Sequence, residues 1–387
     1  AEAPLDLGHP TRVDAEVRPS DGALERLADR LLSARNPVLI AGHELATRDA
    51  LQEAAQLAEI LGAAVWQQTV PYAAHFLSEH PAFVGQLTRS QTQVRGWLQP
   101  HDLLVCLGAD VLRMSVHNPV DALPEGMPIV QISERDWELG KNYPTEIAIR
   151  ANIKETLRAL NAVLRSRMTP VQKSTAATRL AEVAKNNWSV KRVKASEEAA
   201  KLDSVRPMDP KVLMMRLSEA MPKNVVVVEE GLTSTFPLLN YLPLRDHQGF
   251  YGLASGGIGF AMGGAIGISI ALRDRPVVAI VGDGSAMYSI QALWTAAHHK
   301  LPITYVIPNN RSYRILKERL VSFRKTDKFV GMDMDDPAID FVSLAQSMGV
   351  PARRITDPQD VGPALRESIQ SGGPRLLDVT VANGFGA

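Results

Sequence analysis

The sequence predicts an α/β chain of two doubly wound domains, each with a mainly parallel sheet flanked by helices. Three observations carry this. Short apolar, β-branched runs alternate with segments of helical periodicity along the 387 residues; several runs end in Gly or Asp, as strands feeding a turn do; and a polar stretch near the middle separates two such series.

In the first series Pro37 to Ala41, Val65, Leu103 to Leu107 and Ile129 to Ile132 read as strands, and Asp49 to Leu61 has helical periodicity. Their ends offer Gly42-His43 and Gly108-Ala109-Asp110, without the Gly-x-Gly-x-x-Gly spacing of a dinucleotide-binding turn. From Asn161 to Asp203 the chain turns polar, rich in Ala, Lys and Glu with Trp188 as an aromatic exception, and Val205 to Pro210 then punctuates it. The expected division is a Rossmann-like domain over 1–165, a partly helical linker over 166–204 and a second domain over 205–387.

In the second series Val225 to Val228 reads as a buried strand ending in Glu229-Glu230-Gly231-Leu232-Thr233-Ser234-Thr235, and Leu253 to Ala265 is a glycine-rich entry to an apolar helix. Val277 to Val281 then ends in Gly282-Asp283-Gly284-Ser285. The next apolar run ends in Asn309-Asn310-Arg311-Ser312, and between them Met287 to His299 carries Ile290, Leu293, Trp294 and Ala297 on one helical face. In such a strand–helix–strand unit both strand ends emerge on one edge of the sheet, so Asp283 and Asn310 become neighbours.

One carboxylate and one amide oxygen facing a common point suit a hard cation such as Mg²⁺ or Ca²⁺. Gly282 and Gly284 let the backbone approach a ligand closely, and Ser285 falls at a helix start, where free N–H groups attract phosphate. A plain strand-to-helix turn capped by Asp or Ser is the alternative reading of Gly-Asp-Gly-Ser alone. The paired Asn-Asn-x-Ser favours a metal diphosphate.

With these motifs the sequence resembles the thiamine-diphosphate enzymes that act on 2-oxo acids, whose diphosphate motif opens with Gly-Asp-Gly and closes with Asn-Asn. Within that family Gly282 to Ala297 is most similar to benzoylformate decarboxylase. The resemblance implies thiamine diphosphate with Mg²⁺ or Ca²⁺, the metal being held by the side chains of Asp283 and Asn310 and the carbonyl of Ser312. It also implies that Ser285 bonds the diphosphate, that Ile258 supports the thiazolium ring, and that the Gly256 carbonyl accepts from the aminopyrimidine. Gly257, Gly282, Gly284 and Tyr313 complete the cofactor contacts. Thr233 and Ser234 reach the terminal phosphate or cap a helix before Pro237; the register is ambiguous by one residue because Leu232 stands where the relative has a hydroxyl.

By the same resemblance 1–165 corresponds to the family's central domain and 205–387 to its diphosphate-binding domain, with the pyrimidine-binding domain unmatched. Some relatives hold FAD or ADP in the central domain; no residue here gives a reason to expect either. The family draws from the pyrimidine domain the Glu that activates the cofactor, so this chain alone is expected to be inactive. Ala1 to Gly8 resembles an interdomain connection, which implies the carboxy-terminal part of a longer enzyme; a pyrimidine domain on a separate polypeptide is the rival. Family members pair these domains across subunits, which implies a homodimer or homotetramer.

The implied reaction is non-oxidative decarboxylation of a 2-oxo acid. Carboligation of the acetohydroxyacid-synthase or acyl-CoA-lyase type, or a non-catalytic cofactor-binding subunit, are the alternatives. Pocket residues are expected from Ser115 and His117 and from Tyr313, Ile315, Leu316 and Arg319. The relative's acid/base His aligns with Ser115, and its aromatic pocket residue aligns with Arg319, which argues against an aryl substrate.

Composition excludes little but agrees. With 42 basic and 42 acidic residues there is no global field to recruit nucleic acid or anionic membrane. The basic run Lys317 to Lys328 reads as a solvated loop or helix face, or as a mobile active-site flap. No membrane span or signal peptide is visible, and the single cysteine, Cys106, lies in an apolar run and excludes an internal disulfide. A reducing compartment, the cytoplasm, is expected.

Overall fold

The computed structural model describes residues 8, 9, 11, 13, 14, 16–114 and 118–385. Ser115, His117 and most of the segment Ala1 to Gly8 lie outside the described residues. Two six-stranded sheets, parallel throughout, organise the chain.

The first sheet contains β1 (Pro37–Ala41), β2 (Ala64–Gln67), β3 (Phe83–Gln86), β4 (Leu103–Leu107), β5 (Ile129–Ser133) and β6 (Ile147–Arg150), in the order β3-β2-β1-β4-β5-β6. Strand β1 shows why the runs are continuously apolar. Val38 and Ile40 pack into the core on one face while Leu39 and Ala41 pack on the other, so both faces need hydrophobic side chains. The helices Asp21–Ser33, Leu51–Leu61 and Ile153–Arg167 cover one of these faces.

The second sheet contains β7 (Val226–Glu230), β8 (Phe250–Tyr251), β9 (Val277–Val281), β10 (Ile303–Asn309), β11 (Ala352–Ile355) and β12 (Arg375–Thr380), in the order β11-β12-β10-β9-β7-β8. Its faces divide in the same way, with Val227 and Ile280 on one side and Val226, Val228 and Val281 on the other. Both sheets change winding direction beside their first strand. The reversals fall between β1 and β4 and between β7 and β9, where open parallel sheets hold their ligands.

Residues expected as a partly helical linker form two capped helices, Pro170–Ala184 and Trp188–Ala200. The first starts with a capping box between Thr169 and Gln172, which satisfies two otherwise free N–H groups. The second lies against both halves of the molecule: the Trp188 indole donates to the Leu239 carbonyl (2.8 Å), and Lys191 Nζ donates to the Val84 carbonyl on edge strand β3 (2.7 Å). A direct seam joins the halves too. Gly252 N donates to the Tyr72 carbonyl (3.0 Å) and Ser78 N to the Leu244 carbonyl (2.9 Å).

Two local expectations are corrected. The stretch Met287 to His299 is not one helix with Trp294 on its buried face; a turn leads into the helix Ala292–His298, where Leu293 is buried and Trp294 is 58% exposed, stacked on His298. Successive helical residues lie about 100° apart, so Leu293 and Trp294 cannot share a narrow contact line. Lys317 is not a solvated cation, being 3% exposed and ion-paired with Asp333. Among the described residues no helix is long and apolar enough to cross a membrane.

Candidate functional site

At the reversal of the second sheet, three strand ends converge. Strand β9 delivers Gly282-Asp283, and Gly282 N donates to the Glu230 carbonyl at the end of β7 (3.2 Å). Strand β10 delivers Asn309-Asn310. Asp283 joins the two tips: Oδ1 accepts from Gly284 N (2.8 Å), while Oδ2 accepts from Asn310 N (3.0 Å) and Arg311 N (2.7 Å).

The adjacent asparagines do different work. Asn309 turns inward and donates to Asp378 (2.9 Å), whereas Asn310 Oδ1 accepts from Ser312 N (2.8 Å) and its Nδ2 lies 3.4 Å from Ser234 Oγ. Asp283, Asn310, Ser312, Ser285 and Ser234 are all buried. Arg311, between the two buried residues, takes a positive φ of 54°, which turns the loop back over the Asp283 carboxylate.

The donor set suits a hard cation. Burial pushes the Asp283 carboxyl up to about 6, against the opposing effect of its main-chain N–H bonds, and among the described residues it makes no ion pair. Asp378, also fully buried, is neutralised by Arg354 at 2.9 Å; Asp283 lacks such a partner. A carboxylate and an amide oxygen at one buried tip, without a third acidic or imidazole ligand, match Mg²⁺ or Ca²⁺ completed by carbonyl and ligand oxygens better than zinc.

Glycine at 284 lets a neighbouring ring close on this turn. A Cβ on Gly284 would lie 2.7 Å from the Tyr313 ring, so that ring rests directly against the turn. Ser285 sits within a single helical turn, Asp283–Ala286. So short an element adds little dipole and presents individual N–H groups instead.

The other expected residues are distributed around this centre. Thr233 and Ser234 lie buried in the turn Leu232–Ser234, with Ser234 alone of the two bonded to Asn310. Leu232, at the position of ambiguous register, has a positive φ of 48°. Gly256 and Gly257 are exposed in the loop before the helix Phe260–Ala271, and Ile258 is half-buried.

Several residues escaped the sequence reading. Glu230, 1% exposed, accepts from Gly259 N and from Ala261 N (2.6 Å), and so closes the amino terminus of the helix Phe260–Ala271 while its own carbonyl holds Gly282. Glu229 accepts from Gly231 N (2.9 Å) and from Thr235 Oγ. A carboxylate at the end of a buried apolar run must find donors, which was the available signal. Segment 332–334 also escaped notice. It straps the metal-loop candidate through Tyr313 N to the Met332 carbonyl (2.9 Å), Met334 N to the Arg311 carbonyl (2.8 Å) and the Lys317–Asp333 pair.

Comparison with known proteins gives this geometry a context. Residues 24–160 match the family model described as "Thiamine pyrophosphate enzyme, central domain", and 234–379 match "Thiamine pyrophosphate enzyme, C-terminal TPP binding domain". A benzoylformate decarboxylase of Pseudomonas aeruginosa is 27% identical over 379 residues, covering 97% of this chain and 67% of that protein. A sulfoacetaldehyde acetyltransferase of Alcaligenes xylosoxydans xylosoxydans is also 27% identical, over 95% of this chain and 63% of its own length. The solved thiamine diphosphate-dependent 4-hydroxybenzoylformate decarboxylase of Rhodococcus jostii RHA1 superposes with a TM-score of 0.81 at 28% identity, over 97% of this chain and 66% of the other. The chain therefore spans about two thirds of the length of these relatives.

Proposed function

Since the chain belongs to the thiamine pyrophosphate enzymes, carrying their central and C-terminal domains, we propose that it takes part in Mg²⁺-dependent, non-oxidative decarboxylation of a 2-oxo acid. The observation that supports this most is the buried Asp283 carboxylate, gathered by three main-chain N–H groups beside Asn310 Oδ1, with no ion-pair partner among the described residues.

Asp283, Asn310 and the Ser312 carbonyl would hold the divalent ion. Ser285 and the backbone at Gly282 and Gly284 would meet the diphosphate, with Ser234 and Thr233 at its far end. Glu230, by holding Gly259 N and Ala261 N at the start of the helix Phe260–Ala271, would anchor the loop that carries Gly256, Gly257 and Ile258 toward the cofactor. Once bound there, thiamine diphosphate supplies the nucleophilic carbon and the electron sink for loss of CO₂.

Neither glutamate at this rim is free to relay a proton. Glu229 is engaged by Gly231 N and Thr235 Oγ1, and Glu230 by Gly259 N and Ala261 N. We assign cofactor activation to a pyrimidine-binding domain outside these residues, so the chain alone is expected to bind the cofactor without turnover.

A second reading, acyl transfer or carboligation, draws support from the acetyltransferase, which shares the decarboxylase's 27% identity to the chain at slightly lower coverage. Calorimetry with thiamine diphosphate, with and without Mg²⁺, tests the site: uptake that ignores the metal would remove the reading. Incubation with 2-oxo acids in the presence of a pyrimidine-binding domain separates the reactions, since CO₂ with aldehyde marks decarboxylation and a hydroxyketone marks carboligation.

A further inference from the structure

A buried cation holds a segment that in turn holds the metal-loop candidate. Lys317 lies in the helix Arg314–Arg324, buried, with its ammonium engaged at two points of the strap that follows that helix. Asp333 is its ion-pair partner, and the Phe329 ring centroid lies 5.0 Å from Nζ. Phe329 packs in turn against Phe385, with ring centroids 5.3 Å apart. A buried ammonium is costly unless it is paired, so these contacts fix where residues 329–333 run.

The strap reaches the loop through the main chain. The Met332 carbonyl accepts from Tyr313 N (2.9 Å) and from Ser312 Oγ (3.1 Å), Met334 N donates to the Arg311 carbonyl (2.8 Å), and Ser312 and Asp333 pair as an antiparallel bridge. These bonds orient two successive peptide planes. The Tyr313 N–H and the Ser312 carbonyl belong to one trans peptide and point in opposite directions, so the bond to Met332 sets the direction of that carbonyl. In the preceding peptide Met334 holds the Arg311 carbonyl while the Ser312 N–H donates to Asn310 Oδ1 (2.8 Å), so the strap also steadies the donor to the amide oxygen. The Met334 terminal methyl lies 3.7 Å from where a Cβ on Gly284 would stand, which brings the strap to both strand tips.

We propose that Lys317 and Asp333 are positioning residues for the divalent ion: through the strap they hold the Ser312 carbonyl and Asn310 Oδ1 in the arrangement that Mg²⁺ requires. The inference rests on the proposed function, in which these two oxygens and Asp283 hold the ion. Lys317 is itself a cation and acts only through the strap. Mg²⁺ tolerates little departure from octahedral geometry whereas Ca²⁺ accepts varied coordination, so a loosened carbonyl penalises Mg²⁺ more. A contribution to folding alone would not distinguish the two ions.

The test is calorimetric uptake of thiamine diphosphate by the 387-residue chain as a function of Mg²⁺ and, separately, of Ca²⁺ concentration. Lys317→Met, which keeps an unbranched apolar stem, and Asp333→Asn are each expected to raise the Mg²⁺ concentration for half-maximal uptake about tenfold, and the Ca²⁺ concentration by less than about threefold. Amide hydrogen exchange at Tyr313 and Met334 should speed up in both variants. Asp333 is part-exposed, so Asp333→Asn carries the test should Lys317→Met not fold. Arg275→Gln removes a different ion pair, to Asp246 (2.9 Å) at the opposite, amino end of β9, and should change neither metal requirement. Unchanged requirements in the two strap variants, or equal rises for the two ions, would overturn the assignment. The parent chain separates the failures: if its uptake depends on metal and the variants match it, the positioning role alone falls, and if its uptake ignores the metal, the proposed function falls as well.

Discussion

The two winding reversals share a topology and differ in what fills them. At β1 and β4 the main chains close on each other: Gly42 N donates to the Leu107 carbonyl (3.0 Å), and a Cβ on Gly42 would lie 2.1 Å from the Gly108 oxygen. Side chains complete the seal, with Glu44 accepting from Ser133 Oγ (2.6 Å) and Glu134 N (2.9 Å), and Asp110 held by Arg135. At β7 and β9 the glycines instead border a turn whose central carboxylate has N–H partners but, among the described residues, no ion-pair partner. A shared sheet topology thus provides two candidate crevices, and only local side chains decide which one keeps an unmet need.

Removing that unmet need should give the largest effect. Asp283→Ala is expected to weaken Mg²⁺-dependent cofactor uptake by roughly 100-fold or more, measured by calorimetry, with circular dichroism confirming that the sheets persist. Unchanged uptake would erase the contrast between the rims.

A smaller effect tests whether the second rim is built by side chains acting at long range. Glu230→Gln exchanges a carboxylate that serves two main-chain donors for an amide that can accept at only one atom, so we expect a loss of roughly 1.5–3 kcal/mol. Hydrogen exchange should speed up at Gly259 to Met262. Exchange that stays as slow as in the parent chain would show that the helix start is held by other means.

The legible and illegible parts of the molecule divide along the same physical line. Strands such as Val277–Val281 and the tips at Asp283 and Asn310 were readable because burial on both sheet faces forces unbroken apolar runs and because a parallel crossover brings its ends together. The donors to Glu230, by contrast, lie 29 and 31 residues along the chain, and Ser133 is 89 residues from Glu44. Such pairings depend on tertiary placement, to which local periodicity is blind. The same holds for Lys317, whose basic neighbours suggest solvent although Asp333 lies against it and it is buried.

Acid should expose the cost of sealing the first rim. His75 is fully buried with neither ring nitrogen bonded, and burial followed by the charge of His43 lowers it to about 3; burial and Arg135 lower His43 to about 4. The folded values lie below the 6.5 of an unperturbed ring. The unfolded chain therefore binds more protons than the folded one once pH drops below about 6.5, and stability present above that pH declines as acid is added. At pH 5 the loss from His75 is on the order of 2 kcal/mol. Urea unfolding at pH 7.5 and pH 5 reads it, and His75→Leu should flatten the difference.

The smallest expected change comes from the counterpart of Glu230 in the closed rim. Glu44 is also buried, and burial raises its carboxyl above the usual value despite the bonds from Ser133 and Glu134. Glu44→Gln removes a charge that costs desolvation and keeps an oxygen able to accept from one of the two donors. One of these is a hydroxyl free to rotate and donate or accept as needed. The opposing terms should leave stability within about 1 kcal/mol of the parent chain, with cofactor uptake unchanged. Glu230 has no such latitude, since both of its donors are main-chain N–H groups at a helix start. Equal destabilisation by the two substitutions would mean that charge burial alone, rather than the kind of donor each glutamate serves, sets the difference between the rims.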